Sequence, residues 1–127
     1  MVRVETKDAP AAIGPYSQAV KAGGFLFASG MLPVDPATSQ MAAADIRVQT
    51  EQIFKNIKAL LAKEGLGMSD VAKTTVFLKD MNDFAAMNEV YKSAFEGCDV
   101  MPARSAVQVA RLPKDSMIEI EVIALLK

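Results

Sequence analysis

The chain has 127 residues, a length at which one hydrophobic core is the rule, so the sequence predicts a single domain over residues 1–127. Its 14 basic and 15 acidic residues give a net charge of −1 without any Lys/Arg block, which argues against a nucleic-acid partner. The absence of histidine and the single cysteine, Cys98, exclude an imidazole base, an internal disulfide and a multi-cysteine zinc site. No apolar run is long enough to cross a bilayer and the N-terminus lacks a signal core, so we expect a cytoplasmic protein without a membrane partner.

The first third of the chain predicts a short strand, a hairpin and a long loop. Residues Arg3 to Thr6 can form a strand before a turn rich in proline and glycine. The pattern predicts an antiparallel hairpin with strands at Ser17 to Val20 and Phe25 to Ser29 and with Gly23-Gly24 at its turn. Residues 30–44 carry turn residues and no clear period, which predicts a loop.

The middle of the chain predicts two helices separated by a strand. Apolar residues recur with a 3.6-residue period from Asp45 to Glu64, and Gly65 can end this helix in the left-handed conformation. Val71 to Leu78 is rich in Val, Thr and Phe on both faces, as expected of a strand covered on two sides. A second amphipathic helix is predicted from about Asp83 to Phe95.

The last part of the chain predicts two strands, Ala103 to Ala110 and Met117 to Leu126, joined by a turn at residues 112–115. Both faces of the final strand become apolar toward its end, so both should be covered. If the two helices cover one face of a mixed sheet, only another copy of the chain is left to cover the second face. The sequence therefore predicts a homo-oligomer.

The strongest candidates for chemistry lie in these last two strands. Arg104 is in a segment otherwise suited to burial, and a buried guanidinium needs an anionic partner. A structural ion pair with Glu119 or Glu121 would satisfy that need. Alternatively, Arg104 binds a substrate carboxylate while one glutamate acts as general acid and base. Spacing alone does not distinguish these two interpretations.

Other polar positions carry weaker signals. Asn88 lies within the apolar stripe of the second helix, either as a core amide bonded to backbone groups or as a hydrogen-bonding group of a site. Tyr16 follows the rigid Gly14-Pro15 turn, and Ser29-Gly30 ends a strand where backbone groups become available. A packed aromatic residue and an ordinary strand end are the plain alternatives for these positions.

Four blocks of sequence resemble the RidA (reactive intermediate deaminase A) family, also called the YjgF family, over essentially the whole chain. These blocks are the segments 9–18 (APAAIGPYSQ), 29–34 (SGMLPV), 73–84 (KTTVFLKDMNDF) and 102–121, which includes PARS, VARLPKD and IEIE. The resemblance implies a chorismate-mutase-like α+β fold, in which a mixed sheet with two helices on one face assembles as a homotrimeric barrel with clefts between subunits. It also implies hydrolysis of 2-aminoacrylate and related enamines or imines to 2-keto acids and ammonia, without a cofactor or a metal.

The resemblance assigns roles to individual residues. Arg104 is similar to the carboxylate-binding arginine of the family, and Glu119 to its catalytic glutamate, which positions water and moves a proton. The remaining matches line the cleft: Tyr16, Ser29, Gly30 and Asn88. Many relatives have a cysteine two residues after the arginine, whereas Ala106 occupies this cleft position here, so thiol-dependent roles do not carry over and the pocket should be slightly roomier.

Two other functions are compatible with the resemblance. One is a ribonuclease that inhibits translation, and the other is a non-enzymatic chaperone or interaction trimer. The near-neutral charge and the missing histidine weigh against the first. The second leaves the polar residues of the cleft without a purpose.

Overall fold

The computed structural model describes all of residues 1–127 and contains six β-strands and two α-helices. Their bounds in chain order are β1 (Val2–Val4), β2 (Ala19–Ala22), β3 (Phe25–Ala28), α1 (Ile46–Ala62), β4 (Val71–Leu78), α2 (Phe84–Ala94), β5 (Ala103–Gln108) and β6 (Ile118–Leu125). Strand β4 has the bounds predicted from the sequence, and α1, α2, β3, β5 and β6 lie within theirs.

All six strands form one mixed sheet in the order β1-β2-β3-β6-β4-β5. Strands β4 and β5 are parallel neighbours, as expected for two strands joined by the helix α2, and every other neighbouring pair is antiparallel. The last strand of the chain, β6, therefore lies in the middle of the sheet, and β5 lies at one edge. The predicted mixed α+β fold with two helices is confirmed, whereas the trimeric barrel stays a prediction.

The bounds of the two N-terminal strands, β1 and β2, differ from the prediction, because the Gln18 side chain bonds the backbone of the segment between them. Gly23 and Gly24 both have positive φ angles, 58° and 86°, and form a two-residue turn that pairs Ala22 with Phe25. This register ends at Ala19. Gln18 instead bonds the N–H and C=O groups of Thr6 with its side-chain amide. The predicted start of β2 at Ser17 and the predicted end of β1 at Thr6 are therefore wrong.

Helix α1 begins and packs as its sequence predicts. The Asp45 carboxylate caps the helix by accepting hydrogen bonds from the N–H groups of Arg47 (2.9 Å) and Val48 (3.1 Å). The apolar faces of α1 and α2 pack on one side of the sheet in a core cluster of 22 buried residues. Neither helix is long and apolar enough to cross a membrane.

Only one face of the sheet is covered within a single chain. The other face carries Phe25, Phe27, Val107 and Leu125, which are between 38% and 54% exposed. The prediction that the segment around Arg104 is buried is wrong for a single chain, because β5 is an edge strand paired only with β4. Alternation of residue types does not distinguish an edge strand from a central strand. A second copy that covers the open face stays a prediction.

Candidate functional site

Arg104 lies on the helix-covered side of the sheet, at its edge. Its backbone pairs with Thr74 of β4, whose side chain is buried beneath α2. The guanidinium Nη1 donates a hydrogen bond to Asn88 Oδ1 at 2.6 Å. The guanidinium carbon also lies 4.7 Å from the ring centroid of Tyr91 and 5.3 Å from that of Phe84. An amide and two rings of α2 therefore surround Arg104 with neutral groups.

Arg104 forms no ion pair within the chain. The structure contains five salt bridges, and none involves Arg104, Glu119 or Glu121. The register explains this result, because Glu119 pairs with Phe77 and Glu121 with Thr75, on the face of the sheet opposite to Arg104. The ion-pair interpretation is therefore wrong within one chain, and the charge of Arg104 is free for an external anion.

A cleft of about 410 Å³ opens beside Arg104. Its lining combines two cationic side chains with an amide, an aromatic ring and two apolar residues: Asn88, Tyr91, Lys92, Met101, Pro102 and Arg104. Ala106 lies two residues further along β5 on the same face, where it packs against the core rather than lining the cleft. A smaller cleft of about 270 Å³ between the helices contains none of the predicted site residues.

Glu119 lies on the open face of the sheet, in the middle of β6. Its carboxyl group is half-buried, and burial, followed by the negative charge of Glu121, raises its pKa. A raised pKa suits a group that must give and take protons near neutral pH. Gly30 makes this position possible, because a Cβ atom at residue 30 would lie 2.6 Å from both Cδ and Oε2 of Glu119.

Gly30 is held next to this carboxylate by the backbone pairing of its neighbour Met31. Met31 exchanges two backbone hydrogen bonds with Ile120, of 2.7 and 3.2 Å, which places Gly30 beside Glu119. Ser29 donates its hydroxyl to the carbonyl of Ser17 at 2.6 Å, and Tyr16 is the residue before that serine. Tyr16 itself is half-exposed.

The structure therefore brings the predicted site residues together in two groups rather than one. Arg104 and Asn88 form the first group on the helix-covered face, and Glu119 and Gly30 form the second on the open face. Because the sheet separates them, one chain cannot present both charges to the same small molecule. No group of three or more His, Cys, Asp or Glu side chains is arranged to hold a metal ion.

Arg104 also contacts two aromatic residues, Tyr91 and Phe84, that the sequence pattern does not identify as part of the site. Both lie in the apolar stripe of α2, where Asn88 lies four residues after Phe84 and three before Tyr91. That spacing places all three on one face of a helix. It could have indicated a joint surface for Arg104.

The fold is that of a small α+β protein, with a six-stranded mixed sheet and two helices on one face. The arginine–amide pair at the sheet edge can bind an anion, and a half-buried glutamate lies on the open face. Residues 6–126 match the family described as Endoribonuclease L-PSP. The chain belongs to this family, which is the RidA/YjgF family, so the resemblance identified from the sequence is confirmed.

Several relatives match nearly the full chain. A RutC family protein of Pyrococcus horikoshii is 57% identical over 94% of this chain and 93% of its own length. A Salmonella typhimurium protein named 2-iminobutanoate/2-iminopropanoate deaminase is 51% identical over 95% of this chain and 94% of its own length. The crystal structure of Escherichia coli TdcF with bound serine is 47% identical and superposes with a TM-score of 0.94, covering 100% of both chains.

Proposed function

We propose that this protein is a 2-iminobutanoate/2-iminopropanoate deaminase, which hydrolyses small enamines and imines of amino acids, including 2-aminoacrylate, to 2-keto acids and ammonia. The observation that carries the proposal is the 51% identity, over 95% of this chain, to a protein named for this activity. The serine bound by TdcF, an amino acid with a carboxylate, is consistent with a carboxylate-binding site in the family. The proposal includes a cytoplasmic location and a reaction without a cofactor.

Substrate binding is assigned to Arg104. Its guanidinium has no carboxylate partner in the chain, and one of its donors is already oriented by Asn88. The remaining N–H groups can bind both oxygens of a substrate carboxylate, at about 1.5–3 kcal/mol for each charge-assisted hydrogen bond. Tyr16, Ser29 and Gly30 are assigned to the wall that a second copy supplies to this cleft together with its Glu119, whereas Ala106 lies beneath the cleft, against the core.

Proton transfer is assigned to Glu119. An enamine first takes a proton from solvent on its terminal carbon and becomes an iminium ion. The Glu119 carboxylate then accepts a proton from water as the water oxygen bonds to the iminium carbon, giving a neutral carbinolamine. The same carboxyl group returns this proton to nitrogen. The carboxylate finally accepts the hydroxyl proton of the carbinolamine as the C–N bond breaks, so that ammonia leaves, the C=O bond of the 2-keto acid forms, and Glu119 passes its proton to solvent. The raised pKa of Glu119 suits both directions of this transfer.

The two charged groups must come from different chains. Arg104 and Glu119 lie on opposite faces of the sheet, so a second copy has to bring its own Glu119 to the Arg104 of the first. The exposed apolar side chains of the open face supply a surface for such an assembly. We assign the assembly to the homotrimer implied by the family, with sites between subunits.

The test is an assay that follows imine loss and 2-keto acid formation after a dehydratase releases the imine in the same cuvette. We expect the Arg104→Ala variant to lose at least about tenfold in kcat/KM, because one charge-assisted contact is worth that much. Arg47→Ala is the matched control, since it removes an exposed arginine that pairs with Glu89 on the helices.

An Arg104→Ala variant with the parent rate would contradict the proposal. Cleavage of RNA by the parent in the absence of imine hydrolysis would favour the ribonuclease instead, and neither activity would favour an interaction trimer.

A further inference from the structure

The Arg104 guanidinium lies over an aromatic surface contributed by α2. Its central carbon is 4.7 Å from the centroid of Tyr91 and 5.3 Å from the centroid of Phe84. The face of an aromatic ring carries negative partial charge, so it attracts a cation placed above it. Stacking on a ring leaves the in-plane N–H donors of a guanidinium free for other partners.

The Tyr91 side chain is held in place by a hydrogen bond as well as by packing. Its hydroxyl lies 2.7 Å from the hydroxyl of Thr74, and both residues are buried, at 4% and 0% exposure. Phe54 and Phe95 pack against the ring with centroid distances of 5.6 and 4.9 Å. Thr74 is the residue of β4 that pairs with Arg104, so the strand and the helix are joined directly beside the guanidinium.

We propose that Tyr91 is a positioning residue for the carboxylate site, in which its ring sets the plane of the Arg104 guanidinium and Thr74 holds the ring. This inference rests on the carboxylate-binding role of Arg104 in the proposed function. Asn88 accepts from Nη1, the Tyr91 ring lies under the guanidinium carbon, and the donors that remain lie in the guanidinium plane. A carboxylate that approaches in this plane meets a preoriented pair of donors.

The charge state of Tyr91 is compatible with this role. Burial raises the pKa of the Tyr91 hydroxyl, although the hydrogen bond with Thr74 and the charge of Arg104 act in the opposite direction. The ring therefore remains a neutral phenol at the pH of an ordinary assay.

The experiment compares steady-state kinetics of imine hydrolysis and direct binding of 2-oxobutanoate in three variants. Tyr91→Leu removes the ring, Tyr91→Phe keeps the ring without its hydroxyl, and Thr74→Val removes the partner hydroxyl. Loss of the ring should raise KM and the dissociation constant of 2-oxobutanoate roughly three- to tenfold and change kcat less than about threefold, since a carboxylate anchor acts equally in ground and transition states. Tyr91→Phe and Thr74→Val should each give a smaller rise.

The two small substitutions should not add. Both remove the same hydrogen bond, so the Tyr91→Phe/Thr74→Val double variant should resemble either single variant. Tyr91→Phe also retains most of the core packing, which keeps the test valid if Tyr91→Leu fails to fold.

The matched control is Phe95→Leu, which removes an aromatic side chain of the same cluster that touches Tyr91 but not Arg104. The proposal is overturned if Phe95→Leu raises KM as much as Tyr91→Leu, or if Tyr91→Leu and Tyr91→Phe leave KM within about twofold of the parent while Arg104→Ala raises it. An unchanged Arg104→Ala variant would instead contradict the proposed function itself.

Discussion

Glu119 is a residue at which function and stability oppose each other. Its carboxyl group is half-buried among strands of the sheet, next to the like charge of Glu121, and it makes no ion pair. Desolvation disfavours the ionised form, so the folded state holds the Glu119 proton more tightly than the unfolded chain does. A neutral side chain of the same shape would suit this position better for stability alone.

The variant Glu119→Gln should therefore be more stable than the parent at pH 7 and at least about 100-fold less active. Because the folded-state pKa of Glu119 is raised, its favourable contribution is complete below the unfolded value of about 4.3 and is lost as the pH rises through the folded value. Melting curves at pH 4 and pH 7 measure this effect, and the advantage of the variant should shrink at the lower pH.

Equal melting temperatures of parent and Glu119→Gln at pH 7 would contradict this account. A full rate of imine hydrolysis in the variant would remove Glu119 from the chemistry. Glu96→Gln serves as the control, because Glu96 is exposed, does not contribute to the raised pKa of Glu119 and is assigned no step in the reaction.

Gly30 is a second residue on which the site depends, because the position beside Glu119 leaves no room for a Cβ atom. A methyl group at this position would lie 2.6 Å from the Glu119 carboxyl group, closer than van der Waals contact allows. We expect Gly30→Ala to displace the carboxylate and to lower kcat at least about tenfold, whereas stability should change little, because the crowded atoms belong to the end of a flexible side chain that can move aside. The imine assay and chemical denaturation measure the two effects.

Gly67→Ala is the matched control for this substitution, because no atom lies within 4 Å of its added Cβ and its φ is not positive. If both alanine variants lose the same activity, the contact between Gly30 and Glu119 has no special importance.

At the scale of elements, the start of α1 depends on one carboxylate. Asp45 accepts two backbone hydrogen bonds from the first turn, and the helix it caps supplies a large share of the core. Asp45→Ala should reduce the free energy of unfolding by about 1 kcal/mol, since it leaves these N–H groups without a protein partner. Denaturation at a fixed protein concentration measures this loss, because an oligomer unfolds in a concentration-dependent way.

The companion variant Asp45→Asn separates capping from charge. Asparagine keeps the side-chain oxygen that accepts both hydrogen bonds but carries no charge toward the helix dipole. It should retain most of the stability. A loss as large as that of Asp45→Ala would show that the charge of Asp45, rather than its cap geometry, stabilises α1.

At the scale of the whole molecule, the separation of Arg104 and Glu119 by the sheet predicts how assemblies that contain two different variant chains behave. Arg104→Ala and Glu119→Gln chains should each have little activity alone, but a site between subunits can take its arginine from one chain and its glutamate from the other. Random exchange of equal amounts should give roughly a quarter of the parental sites, because each site needs two independent choices of chain. The imine assay after joint refolding measures the recovery.

A mixture of Arg104→Ala with the double variant Arg104→Ala/Glu119→Gln controls for effects of mixing, because no chain in it supplies the arginine. If the mixture of Arg104→Ala with Glu119→Gln chains is no more active than this control, each site takes both charged residues from one chain, and the proposed cleft between subunits is wrong. Light scattering of the parent provides the accompanying test, since a monomer at micromolar concentration would exclude the trimer.

Local patterns in the sequence were sufficient for most elements of the fold. The 3.6-residue period with Asp45 and Gly65 at its ends predicts α1, and Gly23-Gly24 predicts the hairpin. These signals are reliable because they depend on residues only a few positions apart. The start of β2 was missed because the Gln18 side chain bonds backbone groups as far as 12 residues away, and no local pattern reports such a contact.

By itself, the sequence determined the family, the classes of its elements and the two charged residues on which the proposed chemistry depends. Only the tertiary structure decided that β5 is an edge strand, that Tyr91 lies beneath Arg104, and that Glu119 lies on the opposite face of the sheet. The physical reason is that alternation along a strand defines its two faces but not which faces of distant strands coincide. That correspondence is set by the pairing register between strands far apart in the chain.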